Sequence, residues 1–327
     1  MKKILITGGA GYIGSVLLLN LIKRYSVYVF DKKKNYFIKK KINYIKCNIL
    51  DYKKTFELIN KIQPKIIIHL AAQSTIDFVK KKKLYILNNI KATQNIVKIS
   101  KKLNIRKFIF ASSAAVYKYK NKSLHERSDL VPTNIYGKTK LKNEIFIKRA
   151  FKNSKTKYCI LRFFNVCSAD RKNRIGEFHC PETHLIPILI TKIIKRKFIY
   201  VYGNNYPTLD GTCIRDYIHV KDIVLGIMKS INYLDKNKSN TFNLGTEKGF
   251  SVLQLINLCS KYLKMIPKIK FKNRRFGDKA RLICKINKAN QHLGWRPIYS
   301  SLKRIVKDEI WWHNYLVSKN LIRKFIY

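Results

Sequence analysis

The sequence predicts a doubly wound parallel α/β sheet, and three observations predict it. Short apolar runs alternate with longer helix-period segments over the first half of the chain. The first of these runs passes directly into a glycine-rich turn and then a helix. At 327 residues and 46% hydrophobic content, the chain can bury a large core in one or two domains.

Lys2–Thr7 (Lys-Lys-Ile-Leu-Ile-Thr) is a short apolar run suited to a buried parallel strand. It leads into Gly8-Gly-Ala-Gly-Tyr-Ile-Gly14, and the apolar-periodic Val16–Ile22 follows. In such a strand–turn–helix, Gly8 permits the tight turn, Gly11 lets a pyrophosphate approach the backbone, and Gly14 lets the helix pack on the sheet. Gly8, Gly11, Tyr12, Ile13 and Gly14 are therefore candidate dinucleotide contacts, with the helix N-terminus offering N–H groups and a positive dipole end to the phosphates. A second strand, Ser26–Phe30, ends in Asp31. A carboxylate there accepts hydrogen bonds from adenine ribose hydroxyls and repels a 2′-phosphate, which favours NAD over NADP.

Further strands are predicted at Ile42–Lys46, Lys65–Leu70, Lys107–Ala111 and Tyr158–Asn165. Helices are predicted at Lys53–Ile62, over the periodic segment Ile86–Leu103, and around Tyr136. Ligands of such sheets bind beyond the carboxyl ends of the strands. Ser112 and Ser113, just past one strand, and Asn165, ending another, stand where chemistry is expected.

Sixty-nine Lys and Arg against 18 Asp and Glu give a net charge of +51. The lysines are spread along the whole chain, apart from short runs such as Lys32–Lys34 and Lys80–Lys83. With the enrichment in Ile, Asn, Lys and Tyr, this is the composition of a strongly AT-biased coding sequence. It predicts salt-sensitive, non-specific binding to polyanions and no specific nucleic-acid partner. No secretory leader and no run long enough to span a bilayer is present, so a cytoplasmic protein without a membrane partner is expected. The seven cysteines (47, 159, 167, 180, 213, 259 and 284) show no metal-type spacing. Free thiols, no disulfide and no metal are expected.

Tyr136 and Lys140 lie four apart in Asn134-Ile-Tyr-Gly-Lys-Thr-Lys140, so on a helix they share a face. An ammonium beside a phenol favours the phenolate and supplies a base near neutral pH. In a chain this rich in lysine the pair alone says little, and its context decides. Together with Thr7–Gly14 and Ser112–Ser113, the stretch resembles the extended short-chain dehydrogenase/reductase superfamily. The second half is similar to the UDP-glucose 4-epimerase family. The matching stretches are Leu161–Asn165, Pro181–Pro187, Tyr202–His219, Asn243–Gly245, Arg274–Asp278 and Leu293–Pro297, so the resemblance covers essentially the full length.

The resemblance implies a Rossmann domain at 1–166 plus 212–247 and a UDP-sugar-binding region at 167–211 plus 248–327. It implies NAD held by the glycine loop, Asp31, Asn48, Ile49, Tyr136 and Lys140, with Ser113, Tyr136 and Lys140 catalytic. Tyr136 would take the proton of the sugar 4-hydroxyl, Ser113 would bind the same oxygen, and Lys140 would hold the nicotinamide ribose and lower the phenol's pKa. Tyr202 stands at the uracil position, Arg215 and Arg275 at the diphosphate, and Asp278 at the uridine ribose. Asn165 and His184 stand at further UDP-sugar contacts. The implied reaction interconverts UDP-glucose and UDP-galactose in a homodimer assembled through helices near Asn88–Leu103 and Ile135–Phe151. Alternatives are an epimerase acting on N-acetylhexoses or pentoses, and a non-catalytic nucleotide- or RNA-binding relative. A 4,6-dehydratase is disfavoured, because Ser113 is followed by Ala114-Ala115 where that chemistry needs an acidic pair.

The chain departs from the family pattern at Ala115, Lys118, Cys47-Asn48 and Cys167-Ser168, and the loop Gln73–Lys83 aligns with nothing definite. Leu282 stands where side-chain bulk limits N-acetylated sugars, and leucine points towards non-acetylated substrates. His69 reads as a packed strand-end histidine, and His219 and Asp222 as fixtures of a strand–helix junction. Trp311 and Trp312 read as the apolar face of a C-terminal helix. No Gly-x-Ser-x-Gly elbow surrounds Ser113, which excludes a hydrolase triad there.

Overall fold

The computed structural model describes residues 1–35, 37–38, 42–73, 82–118, 122–179, 181–275 and 277–321. The elements are β1 (Lys3–Thr7), α1 (Tyr12–Leu21), β2 (Ser26–Asp31), β3 (Asn43–Lys46), α2 (Tyr52–Ile62) and β4 (Ile66–His69). They continue with α3 (Lys82–Tyr85), a π-helical turn Ile86–Lys91, α4 (Ala92–Lys102), β5 (Lys107–Ser113) and α5 (Ile135–Phe151). After β6 (Lys157–Phe163) and β7 (Asn165–Cys167) come α6 (Leu185–Ile194), β8 (Phe198–Tyr202), β9 (Ile214–Arg215), β10 (Tyr217–His219), α7 (Val220–Lys236) and β11 (Asn240–Leu244). The chain closes with β12 (Phe250–Ser251), α8 (Val252–Leu263), β13 (Lys268–Lys272), β14 (Arg281–Leu282), α9 (Asn287–Leu293) and α10 (Leu302–Ser318).

Seven parallel strands form the main sheet in the order β11-β6-β5-β4-β1-β2-β3. The direction of winding reverses between β1 and β4, so their carboxyl ends flank the crevice where such sheets bind ligands. Because side chains alternate across a sheet, successive residues of β1 and β4 feed two different cores. Ile4, Ile6, Ile66 and Ile68 pack with Val16 and Leu17 of α1 and Ile223 and Ile227 of α7. Leu5 and Ile67 pack with Ile59 of α2, Ile96 of α4 and Ile147 of α5. Burial on both faces is why these strands read as unbroken apolar runs. A third core joins α6, β8, α8 and α10 through Leu189, Ile199, Leu255 and Ile305.

Two expectations change. The predicted strand Tyr158–Asn165 is two strands: β6 ends at Phe163, and Asn165 begins β7, which pairs with β10 and lies outside the main sheet. The backbone amides account for the break, since Phe164 N still donates to Leu244 O of β11 while Asn165 N donates to Asp216 O. The predicted helix over Ile86–Leu103 begins with a π turn that carries buried Asn89. Asn89 exchanges hydrogen bonds with the Gln73 backbone after β4 and donates to Thr139 of α5, so the turn clasps two site-bearing segments together. Single π turns, rare overall, are frequently found at functional sites.

The histidine and tryptophan readings hold. His69 is buried between Thr7 and Thr93, 2.6 and 2.8 Å away. Asp222 accepts from the Ile298 and Tyr299 amides and the Ser300 hydroxyl, which docks the chain before α10 onto α7. Trp312 is buried on α10, and Trp311 stacks on Tyr315. Six of the cysteines are free and buried, and Cys180 lies outside the described residues. No described helix is long and apolar enough to cross a membrane.

Beneath α5 lies a fully buried ion pair. Arg162 of β6 makes a two-pronged contact with Glu144, at 3.0 and 2.7 Å, and both side chains are 1% exposed. Glu144 also accepts from Ser112 (2.5 Å), and Arg162 donates to the Tyr117 hydroxyl (2.8 Å), which donates to Asn243 of β11 (2.6 Å). Removing one partner of a buried pair strands the other charge. Glu144→Ala should lower unfolding stability by about 3–5 kcal/mol in a urea titration. A loss below about 1 kcal/mol would mean that water or a neighbour replaces the carboxylate.

Candidate active site

The carboxyl ends of β1, β4 and β5 open into a cleft of about 1240 Å³. Its lining includes Gly8, Gly11–Gly14, Asp31, Asn48, Ile49, Ser113, Tyr136, Lys140, Asn165, His184, Arg215, Asp278 and Leu282. Residues far apart in sequence thus meet because the sheet brings strand ends together. Tyr202 and Arg275 are not among the described residues lining it. They pair with each other instead, with the guanidinium 3.9 Å from the ring centroid.

The glycine-loop end of the cleft is tightly built. A Cβ on Gly8, whose φ is +72°, would lie 2.6 Å from the Ala71 amide nitrogen, so the loops after β1 and β4 touch only because no side chain intervenes. A Cβ on Gly14 would lie 2.5 Å from the Gly8 carbonyl oxygen. At Gly11 an added Cβ would meet nothing closer than 3.4 Å. The backbone is open there, as a pyrophosphate requires. No side chain caps α1 at Gly11 and no acid occupies its first turn, so its N-terminal N–H groups are available to an anion. Asp31 accepts from the Ala10 amide at 3.0 Å and the Lys32 amide at 2.7 Å, which fixes its carboxylate beside the loop. Asn48 uses its side-chain oxygen to accept from Leu50 N at 3.3 Å, and Tyr12 donates its hydroxyl to the Ser168 carbonyl. A glycine cradle, an open helix end and a ribose-side carboxylate fit a dinucleotide.

The end of the cleft that holds Ser113, Tyr136 and Lys140 is set by α5. Asn134 caps the helix, accepting from the Gly137 amide at 2.7 Å. At Gly137 an added Cβ would be 2.3 Å from the Ala115 carbonyl oxygen, and this close approach seats Tyr136 against the turn that follows Ser113. Lys140 is buried one helical turn on, its Nζ 5.6 Å from the Tyr136 ring centroid, and donates to the Ala111 carbonyl at 2.7 Å.

The electrostatics differ from the sequence expectation. Burial pushes the Tyr136 phenol up to about 12, against the Ser113 hydroxyl, which pulls it down, while Tyr85 adds a smaller upward effect. Burial lowers Lys140 to about 7, with Glu144 opposing. The ammonium turns its hydrogen bond to the main chain and is itself costly to keep charged, so in this structure it does not lower the phenol. Desolvation of both members outweighs their mutual attraction.

The remaining candidate residues fall into pairs. Arg215 forms an ion pair with Asp278 and donates to the Lys279 carbonyl at 2.7 Å. His184 occupies the N-cap position of α6 without a side-chain capping bond, and its Nδ1 lies 2.9 Å from both Glu182 and Glu177. Leu282 is half-buried on β14, in register with Arg215. Sequence reasoning missed the Arg162–Glu144 network and Asn89. An arginine inside the apolar run Tyr158–Phe164 is a signal of a buried partner, whereas nothing in the sequence marks the π turn.

Residues 4–245 match the model of the NAD dependent epimerase/dehydratase family. The chain is 36% identical over 317 residues to a UDP-glucose 4-epimerase of Halalkalibacterium halodurans, covering 95% of each chain. It is 35% identical over 321 residues to one of Rhizobium meliloti, covering 96% of this chain and 97% of that one. The structure of a UDP-glucose 4-epimerase from Brucella ovis in complex with NAD superposes with a TM-score of 0.89 at 30% identity, over 95% of this chain and 98% of that one.

Proposed function

Because the chain belongs to the NAD dependent epimerase/dehydratase family, we propose that it interconverts UDP-glucose and UDP-galactose at sugar C4. It is an NAD-dependent isomerase with the Rossmann-type sheet of that family. The observation that carries the reaction assignment is the convergence of Ser113, Tyr136 and Lys140 on the cleft that also contains the glycine loop.

The residues divide the work. Gly8, Gly11, Tyr12, Ile13 and Gly14 receive the pyrophosphate, Asp31 the adenine ribose, and Asn48 and Ile49 the adenine. NAD bound there supplies reversible hydride exchange with the sugar. Tyr136 removes the proton of the 4-hydroxyl and later returns it, and Ser113 holds the same oxygen. Lys140 holds the nicotinamide ribose hydroxyls. Arg215 and Arg275 bind the diphosphate, with planar guanidinium groups suited to paired phosphate oxygens. Asp278 holds the uridine ribose, Tyr202 stacks on uracil, and Asn165 and His184 contact the UDP-sugar. Arg215 and Asp278 exchange their mutual contact for substrate, and Arg275 and Tyr202 do likewise. Residues 1–166 plus 212–247 form the NAD-binding part, and 167–211 plus 248–327 the UDP-sugar part. The protein works as a cytoplasmic homodimer through α4 and α5, with neither a specific nucleic-acid partner nor a membrane.

Three outcomes are expected. Tyr136→Phe should lower kcat by roughly 10²–10⁴, the usual contribution of a positioned acid–base group, while NAD content and UDP affinity stay unchanged. Full turnover in that variant would remove Tyr136 from the mechanism. The Ser113 hydroxyl lowers the phenol's pKa, so Ser113→Ala should move the ascending limb of the pH–rate profile, where the phenol loses its proton, to higher pH and depress the neutral rate. An unmoved limb would mean that Ser113 does not act on Tyr136. With Leu282 at the cleft wall, UDP-galactose should turn over faster than UDP-N-acetylglucosamine in parallel assays. Equal rates would overturn the sugar preference.

A further inference from the structure

Glu177, His179, Glu182 and His184 lie within one short segment between β7 and α6, and three of them, Glu177, His179 and His184, line the cleft. The segment folds back on itself so that one ligand atom from each residue lies within 4.8 Å of all the others. The His184 Nδ1 is 2.9 Å from the Glu177 Oε1 and 2.9 Å from the Glu182 Oε1. The His179 Nδ1 is 3.4 Å from the Glu177 Oε1 and 3.8 Å from the Glu182 Oε2.

Two further observations set this cluster apart from an ordinary ion-pair network. Glu177 is 2% exposed, and its Oε2 and the Glu182 Oε2 are buried without hydrogen-bond partners. In a chain with 69 Lys and Arg, no described lysine or arginine forms an ion pair with either glutamate. The only described counter-charges are the two imidazoles. The frame around them is firm. The Trp312 indole donates to the Glu177 carbonyl at 2.6 Å, and Gly176 sits so close beneath Trp312 that a Cβ would fall 2.6 Å from the ring. At the other end Glu182 accepts from the Thr183 and His184 amides, each at 2.7 Å.

We propose that Glu177, His179, Glu182 and His184 bind one divalent transition-metal cation of the zinc class. Two carboxylates and two neutral imidazoles carry a charge of −2, which one such cation neutralises. Ligand bonds of about 2.0–2.2 Å place tetrahedral donors roughly 3.3–3.6 Å apart, and the observed separations straddle that range. A mixed nitrogen and oxygen donor set suits zinc and its first-row neighbours over calcium or magnesium. Protons compete for the same atoms. Metal ligands bind without their protons, so a proton and the metal exclude one another at these atoms. The bound ion ties the segment before α6 into one conformation. The cluster shares His184 with the UDP-sugar contacts proposed above, but the inference rests on the geometry of the four side chains and is tested by metal binding, not by turnover.

The test uses the full chain with its NAD, stripped of metal by a chelator and titrated with Co²⁺ and then Zn²⁺. One ion per chain should bind, with the strong visible d–d bands of four-coordinate cobalt, no thiolate charge-transfer band, and a calorimetric enthalpy that varies with buffer ionisation. His179→Ala, checked for folding by its retained NAD, should lose more affinity than the roughly 10–100-fold typical of losing an outer-shell partner. Cys180→Ser, which removes the thiol adjacent in sequence, should bind as the parent does. Absence of stoichiometric binding in the parent protein, unchanged affinity in His179→Ala, or loss of binding in Cys180→Ser would each overturn the site.

Discussion

The buried contact between Arg162 and Glu144 is the constraint on which the placement of Tyr136 and Lys140 in the cleft depends. α5 must lie across the ends of β5 and β6 at a fixed height and rotation, because Tyr136 and Lys140 are both on it. Apolar packing through Ile147 and Phe151 holds the far end of the helix but has no direction of its own. The two-pronged guanidinium–carboxylate contact is directional. It reaches one helical turn below Lys140 and joins α5, β5, β6 and β11 through Ser112, Tyr117 and Asn243. A pair this deep offsets its own desolvation only when every remaining donor and acceptor is engaged, and here Ser112, Tyr117 and the Glu126 carbonyl engage them.

The scarcity of acids gives those that are present unusual weight. A chain with 18 acidic residues and 69 basic ones places its buried carboxylates at junctions. Asp216 accepts from Thr246 and Cys284 where β9 and β10 meet, and Asp222 docks the segment before α10 onto α7. Asp31, Asp278 and Glu177 line the cleft, and Glu182 converges with Glu177. The lysines, by contrast, are mostly exposed and locally replaceable. Net charge therefore says little about what this molecule does, while the position of each acid says a great deal.

The legible parts of the fold and site were those with local requirements. Glycines at fixed spacing point to a dinucleotide loop when a strand precedes them, a helix follows and an acid ends the next strand, and all of these can be read locally. The alternation of strands and helices was equally plain, and most element ends fell within a residue or two of the structure. Asn165 was misplaced because an extended segment looks the same whether it continues one strand or begins another; only the Asp216 carbonyl, which Asn165 meets in the fold, separates them. The π turn at Asn89 left no mark on the hydrophobic period, since its cause is the Gln73 backbone and Thr139, both remote in sequence.

The sequence by itself determined the sheet, the dinucleotide loop and the helical spacing that places Tyr136 beside Lys140, because each follows from chain geometry over a few residues. Tertiary structure alone decided the charge states and partners. Spacing predicted an ammonium lowering a phenol, but packing buried both, raising Tyr136 and depressing Lys140 while aiming the lysine at Ala111. It also drew Glu177, His179, Glu182 and His184 together and paired Arg215 with Asp278 and Arg275 with Tyr202. Desolvation depends on everything packed around a group, and a one-dimensional pattern cannot specify those surroundings.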